Sequence, residues 1–300
     1  MDNLAHWSTG QVRTNIINEF TYMLIMDVAK IIKDNGMLRG LSPRTIKTYS
    51  VTVEKFLRTY RLAPHQVTQN QIKTFLLRKL EQGAAGNTIN VYLNALKFFY
   101  EVCLNKKLTV NIKYSKVPKK LPEFLTQEEC IHFFSCIKNS KHKLMVTLMY
   151  SAGLRVSELL NLKVRDFQFE QNYGWVRQGK GKKDRVFIVA EQLADKLLMW
   201  ITKRKLENEN YLFTNSFGRK MSAQTLRKVI KAALKLSGIP KSVHPHTLRH
   251  SFATHLIENG YSVTDVQPLL GHSKLETTLV YTHLARPKLL GVKSPFDNLR

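Results

Sequence analysis

Acid is scarce in this chain. Aspartate and glutamate number 22 against 47 lysines and arginines, a formal net charge of +25. A folded protein this basic needs a polyanion as its usual company, and nucleic acid is the default. Cysteine is scarcer still. Cys103, Cys130 and Cys136 are odd in number and form no CxxC pair, which argues against both a disulfide framework and a cysteine zinc site and predicts a reducing compartment. Long apolar runs are also missing. The YMLIM segment at 22–26 runs straight into Asp27, Lys30, Lys33 and Asp34. It is too short for a membrane span and lacks a signal peptide's layout, so a cytoplasmic protein without a membrane partner is expected. No internal repeat or low-complexity tract is visible, and 43% hydrophobic residues suffice for real cores.

What is present first is helical periodicity. Ile17, Phe20, Leu24, Val28 and Ile31 recur at helical spacing, and Asn35-Gly36 predicts a break. Ser42-Pro43 supplies an N-cap and a first helical position for the stripe Ile46, Tyr49, Val53, Phe56, Leu57 and Tyr60. Thr68 and Gln71 make a capping box ahead of Ile72, Phe75, Leu76 and Leu80. After GAAGN, a further stripe holds Ile89, Tyr92, Leu93, Leu96, Phe99, Tyr100 and Cys103. These four apolar faces predict a small helical bundle over residues 1–105. Lys106, Lys107, Lys113, Lys116, Lys119 and Lys120 follow with no acid among them, and Pro118 and Pro122 stiffen the stretch. Residues 106–122 read as a basic linker, either a solvated tether or part of a clamp around DNA.

The segment 123–300 opens on another capping box, Thr126 to Glu129, and stays helical through Leu144, Leu148 and Met149 to Gly153. The period then changes. DFQFE, YGWVRQ and DRVFIV alternate or run apolar as strands, with NYG and GKGKK as hairpin turns. Helical pattern returns from Ala190, punctuated by Gly238-Ile239-Pro240, Gly260 and Gly271. The expected fold is mainly α: an N-terminal helical bundle, then an α+β domain of helices with a small antiparallel three-stranded sheet.

Six residues in this second half suit chemistry on a phosphodiester: Arg155, Lys180, His246, Arg249, His272 and Tyr281. Guanidinium groups grip phosphate oxygens bidentately and keep their charge, lysine and histidine move protons, and tyrosine can become a covalent nucleophile. Arg155 follows a turn at Gly153, where a bound anion would explain a cation at a helix start; Glu158 is the alternative partner. Lys180 lies between Gly179 and Gly181, with Lys182 and Lys183 able to do the same work. His246 and Arg249 stand three apart and share a helix face. His246 and His250 have metal-like spacing, but no HExxH glutamate or cysteine set accompanies them, so no metal is expected. His250 and His255 read as ties between helices. A tyrosine on an amphipathic helix is more often core than nucleophile, and with a pKa near 10 Tyr281 needs help to attack.

At these residues the sequence resembles the tyrosine recombinases, also called phage integrases, over essentially its whole length. GLRVSEL, GKGKKDR, HTLRHSFATHLIENG, LLGHS and TTLVYTH occur in that family's order and spacing, and SPRTIKTY fits its SAM-like core-DNA-binding domain. The resemblance implies a catalytic domain over 123–300 that cleaves and rejoins DNA through a 3′-phosphotyrosyl bond, with no cofactor. Tyr281 would attack, Arg155 and Arg249 would neutralise the pentavalent phosphate, and Lys180 would protonate the leaving 5′-oxygen. His246 would act as base or positioner and His272 would bond a non-bridging oxygen. Glu158 matches the family's acidic position beside the first arginine, and His250 would stand behind the reacting groups. The implied partner is double-stranded DNA with an inverted-repeat core site. On two such sites a homo-tetramer would form through the C-terminal tails, here carrying Leu289, Leu290, Val292 and Phe296, with room for a second recombinase or accessory protein. The compact length is Xer-like, as in archaeal members, or fits a mobile-element recombinase. Arg44, Thr45, Lys47, Asn87, Thr88, Arg219, Lys220, Arg227 and Lys228 are candidates for DNA contact. Two alternatives stay open on the same residues: a type IB topoisomerase-like relaxing enzyme, and a catalytically silent sequence-specific DNA-binding protein.

Overall fold

The computed structural model describes residues 28–109, 111–117, 121–177, 184–271 and 276–283. The chain divides into two compact units, 1–119 and 120–300. In the first, helix α1 (28–38) is followed by α2 (Pro43–Tyr60), α3 (Gln69–Glu81) and α4 (Gly86–Lys97), the last continuing into a π-helical turn, Phe98–Cys103. The expected caps are in place. Ser42 Oγ accepts the Thr45 N–H at 3.1 Å with Pro43 at the helix start, and Gln71 Oε1 accepts the Thr68 N–H at 2.8 Å.

The expected break at Asn35-Gly36 does not occur. Helix α1 runs through both residues, and the chain turns at Gly40, whose φ is 66°. Asn35 Nδ2 bonds back to the Ile31 carbonyl at 3.0 Å, and a Cβ on Gly36 would meet Ile46 at 2.8 Å. The glycine therefore serves close helix packing instead of a turn. Ile17, Phe20 and Leu24 lie outside the described residues.

The apolar stripes converge on Ile32, Val53, Phe56, Ile72, Phe75, Leu93, Leu96, Phe99 and Tyr100, all buried. Each side chain of this size contributes about 1.5–3 kcal/mol when fully buried. Part of the lysine-rich stretch is fastened to this bundle. Leu108 and Ile112 pack on its core, the Ser115 N–H donates to Asn90 at 2.8 Å, and Tyr114 donates to Asn94 at 2.7 Å.

The second unit contains α5 (Gln127–Ser135), α6 (Ser140–Ser151), α7 (Val156–Asn161), strands β1 (Phe167–Gln168), β2 (Tyr173–Val176) and β3 (Arg185–Ile188), then α8 (Glu191–Lys203), α9 (Ala223–Ser237), α10 (Pro245–Glu258), α11 (Val263–Leu270) and α12 (Glu276–Leu279), ending in a 3-10 turn, Val280–His283. The strands form one antiparallel sheet in chain order, with Phe167 opposite Gly174 and Val176 opposite Arg185. The first hairpin turn lies earlier than NYG. It is Phe169–Gln171, closed by Asn172 in the left-handed region, so Tyr173 and Gly174 already belong to β2. Gly174 is needed there because a Cβ would sit 2.3 Å from the Phe187 ring.

The main core gathers Phe133, Met145, Val146, Leu148, Met149, Phe187, Leu197, Leu226 and Ile230 between the sheet and helices. A smaller cluster holds Phe252, Ala253, Val266, Leu270 and Tyr281. It joins α10, α11 and the turn Val280–His283, and the candidate site residues surround it. Among the described residues, no helix is long and apolar enough to cross a membrane.

Candidate active site

The site begins at a glycine. Gly153 follows the end of α6 with φ 56°, and a Cβ there would strike the Phe252 ring at 2.4 Å. This close approach of the α6–α7 turn to α10 delivers Arg155. Arg155 is the N-cap of α7 with extended backbone, so its cation stands just outside the helix, while Glu158 occupies the first turn. Glu158 accepts the Arg155 N–H at 2.9 Å and its Nη1 at 2.6 Å. An acid at the helix N-terminus offsets the dipole that the arginine would otherwise oppose. Arg155 and Glu158 are therefore paired, as the intrachain alternative anticipated.

Glu158 serves more than one arginine. Arg185, the first residue of β3, donates Nη2 to Glu158 Oε2 at 2.7 Å, and Arg249 Nη1 lies 3.7 Å from the same oxygen. Burial acts to raise the Glu158 carboxyl pKa. The charge of Arg185 and the bonds from Arg155 and Arg185 outweigh it and hold the group below its ordinary value.

One carboxylate does not balance three guanidinium groups, and the end of α11 supplies the rest. Three successive carbonyls there each accept from one arginine: Leu269 from Arg185, Leu270 from Arg249, and Gly271 from Arg155 at 3.4 Å. Arg249 also donates to the Gly153 carbonyl at 2.6 Å, beyond the end of α6. Terminal carbonyls lack intrahelical partners and carry the negative end of the dipole, so they are natural seats for cations. Gly271 has φ 59°, and a Cβ would meet Arg185 Cδ at 2.7 Å, which places glycine at this junction. Arg185 and Arg249 are buried, whereas the Arg155 side chain keeps 19% exposure and faces outward.

Arg185 was not singled out from the sequence, although GKGKKDR contains it. The signal was there: alternation in DRVFIV puts Arg185 on the same inward side as Phe187, and an arginine on a core-facing position needs a buried acid.

On α10, Pro245 starts the helix, His246 sits exposed in the first turn, and Arg249 lies buried one turn on. Although its side chain is reachable, partial desolvation by the surrounding protein, then His244, Arg249, Arg155 and Arg227, lower the His246 pKa, which favours the neutral ring at pH 7. His250 does not simply tie helices together: its Nδ1 lies 3.0 Å from the Tyr281 hydroxyl. His255 does make such a tie, through Tyr150 at 2.7 Å. The Tyr281 ring belongs to the apolar cluster, so it is a core residue whose hydroxyl reaches the polar side. Burial raises its pKa, opposed by the charges of Arg249 and Arg155.

The structure thus brings Arg155, Glu158, His246, Arg249, His250 and Tyr281 around one point. Lys180 and His272 lie outside the described residues, as do Leu289, Leu290, Val292 and Phe296. Among the described residues, no group of three or more His, Cys, Asp and Glu side chains is gathered as a metal centre would require. Of the DNA-contact candidates, Arg44, Lys47, Asn87 and Thr88 are exposed and Thr45 is half-buried, all near the starts of α2 and α4. Arg219, Lys220, Arg227 and Lys228 are exposed in the second unit, with Lys220 bonded to Asn161 and Arg227 acting on His246.

Comparison with known proteins places this arrangement. Residues 123–287 match the model of the phage integrase family, and residues 30–110 match that of the phage integrase N-terminal SAM-like domain. Tyrosine recombinase XerA of Pyrococcus horikoshii is 36% identical over 255 residues, covering 84% of this chain and 87% of that protein. Tyrosine recombinase XerD of Oceanobacillus iheyensis is 33% identical over 272 residues, covering 84% and 91%. The crystal structure of XerH site-specific recombinase bound to difH substrate, a pre-cleavage complex, superposes with a TM-score of 0.66 at 25% identity, covering 90% of this chain and 84% of that one. The chain belongs to the phage integrase family, the tyrosine-type site-specific recombinases that cleave and rejoin DNA.

Proposed function

We propose that Tyr281 is the nucleophile of this recombinase and that the arginine cluster holds the phosphate it attacks. The observation carrying the assignment is the Tyr281 hydroxyl, bonded to His250 and lying in the field of Arg249 and Arg155. Each guanidinium has five N–H donors, and the bonds to Glu158 and the α11 carbonyls leave donors over for phosphate oxygens. Because those carbonyls and Glu158 fix the arginines before DNA arrives, charge on the pentavalent phosphate meets an already oriented field. His246, neutral and exposed, adds a hydrogen bond to a phosphate oxygen. By family resemblance Lys180 protonates the leaving 5′-oxygen and His272 bonds a non-bridging oxygen. The product is a 3′-phosphotyrosyl bond and a free 5′-hydroxyl. Attack by a partner strand's hydroxyl reverses the step, so integration, excision or resolution between two short sites proceeds without an external energy source.

We further propose an inverted-repeat duplex as the substrate, read by Arg44, Thr45, Lys47, Asn87 and Thr88 of the first unit and Arg219, Lys220, Arg227 and Lys228 of the second. A homo-tetramer would assemble on two sites through the C-terminal tails, in the cytoplasm where the DNA is. A net charge of +25 supports the duplex partner. With six to ten phosphates neutralised, affinity should fall roughly 10³- to 10⁵-fold between about 50 and about 200 mM salt.

Covalent capture tests the whole reading. The protein is incubated with fragmented, partly nicked DNA from its source, denatured, and the linked fragments are sequenced, with Tyr281→Phe in parallel. Adducts that vanish in the variant and share an inverted-repeat core are expected. Tight DNA binding with no adduct, even with candidate partner recombinases added, would overturn the assignment.

A further inference from the structure

We infer that His250 receives the phenolic proton of Tyr281 during strand cleavage. The inference rests on the recombinase reading above and assigns one of its proton transfers.

The geometry points to this residue. His250 Nδ1 is 3.0 Å from the Tyr281 oxygen, with ring centroids 5.6 Å apart. That is hydrogen-bond contact with the reacting atom itself. With its proton on Nε2, the imidazole offers the Nδ1 lone pair to the hydroxyl. His246, one turn earlier on α10, has its ring centroid 6.5 Å from that of His250 and is exposed, which leaves it open to a phosphate. The first histidine then serves the phosphate and the second serves the nucleophile.

Electrostatics keeps the acceptor free. Among the described residues, the charged or titratable groups acting on His250 are Tyr281 from the last turn and His244, His246 and Arg249 from its own helix and cap. From the packed neighbours, Tyr150 of α6 is engaged with His255 and Asp265 of α11 with Ser262. Burial, with those three neighbours, lowers the His250 pKa to about 4, so the ring is neutral and unprotonated at pH 7. A bound phosphodiester adds a negative charge that offsets Arg249, so the imidazolium becomes more tolerable when it is needed.

The step balances. The Tyr281 O–H bond breaks and its proton passes to His250 Nδ1. The phenolate oxygen forms the bond to phosphorus, the bond to the 5′-oxygen breaks, and that oxygen takes its proton from the general acid. On religation the imidazolium returns its proton to the departing phenolate, so no oxidant, metal or nucleotide is consumed.

The test uses the full chain and the core duplex recovered by covalent capture, carrying a sulfur in place of the bridging 5′-oxygen. A thiolate leaves without a proton, so the general acid drops out and the rate reports on the nucleophile. The wild type should cleave at a level rate from about pH 7 to about pH 9, since its base is already neutral. His250→Gln, which keeps a polar partner for the hydroxyl, should bind DNA within about twofold of wild type. It should cleave about 100-fold more slowly at pH 7, with a rate that climbs about tenfold per pH unit as the unaided phenol ionises. Cleavage within about threefold of wild type, or a level pH profile in the variant, overturns the inference. Should His250→Gln fail to fold, the wild-type profile decides alone: a rate rising steadily through pH 9 overturns it. Tyr281→Phe on the same duplex separates the two readings. A Tyr281-dependent adduct with an unaffected His250 variant removes only this inference, whereas no adduct from wild type removes both.

Discussion

The core of the N-terminal bundle and the floor of the active site are both buried, and opposite means hold them. In the bundle, Phe56 meets Phe75 and Tyr100 edge-on at 5.2 and 6.5 Å, and the buried polar side chains described there are Thr52 and Thr109. The stabilising quantity is apolar area, non-directional and tolerant of repacking. Around Glu158 the quantity is a count of charges and carbonyl lone pairs. Three guanidinium groups share one carboxylate and three successive carbonyls at the end of α11. A buried pair is weak evidence of added stability, but removing one member strands the others. The bundle is therefore built to persist, and the site floor is built to keep positive charge in one place.

Glu158→Gln gives the largest expected effect. It leaves Arg155, Arg185 and Arg249 without their carboxylate and should cost about 3–5 kcal/mol of unfolding free energy. Phe56→Ala should cost a similar amount, about 3–5 kcal/mol, by opening a cavity. Denaturant melts at several pH values separate the two. The folded Glu158 pKa is depressed, so its contribution is present above the unfolded pKa, near 4.3, and is lost as pH falls through the folded value. Wild type and Phe56→Ala should share that acid loss, and Glu158→Gln should lack it. A Glu158→Gln protein as stable as wild type would break the comparison.

Arg185 sharpens it. Its Nε is buried without a hydrogen-bond partner, while Nη1 and Nη2 bridge α11 and Glu158. Arg185→Lys keeps the charge but loses the fork, so Glu158 and the α11 end are no longer tied by one planar group. Single-turnover cleavage should fall about tenfold or more through misplacement, with DNA affinity nearly unchanged. Equal losses in affinity and rate would instead make Arg185 a DNA contact.

Much of this was legible in the sequence, for local reasons. Caps at Ser42, Thr68 and Thr126 and the apolar stripes depend on neighbours three or four residues away. The candidate residues Arg155, Glu158, Arg249, His250 and Tyr281 could be singled out because their residue types are rare in combination, and the structure gathers them. What was not legible depends on distant partners. Asn35-Gly36 looks like a turn until Ile46 is seen packed against it. Arg249 meets Gly153 across 96 residues and Arg185 meets Leu269 across 84, and no local spacing announces either. Tyr281 shows that a core ring and an engaged hydroxyl are not exclusive: its ring lies in the apolar cluster while its oxygen bonds His250.

A smaller effect follows from burying His250 neutral. Its folded pKa is lowered to about 4 from an ordinary 6.5, so the unfolded chain takes up the proton first as pH falls. The associated stability is complete above about pH 6.5 and is lost progressively toward pH 4. It amounts to on the order of 2 kcal/mol after discounting for partial exposure. His250→Gln should flatten the part of the stability–pH curve between about pH 6.5 and about pH 5, above the acid window of Glu158. Identical curves in that window would remove the buried neutral histidine from the description of the site.

The smallest effect concerns how far the positive field extends. Arg227 is an exposed residue of α9, yet it acts on His246, after desolvation and the larger effects of His244, Arg249 and Arg155. Arg227→Gln should therefore raise the His246 pKa slightly, less than removing Arg249 or Arg155 would, as read by NMR titration of the ring. The same variant should lower the slope of log affinity against log salt by about one if Arg227 touches a phosphate. A changed salt slope with an unmoved His246 would make Arg227 a backbone clamp independent of the site. A moved His246 with an unchanged slope would make it part of the charge that keeps this ring neutral. Only both changes together would mean that one surface arginine serves DNA grip and active-site electrostatics at once, extending the charge-counted region beyond the buried floor onto the protein surface.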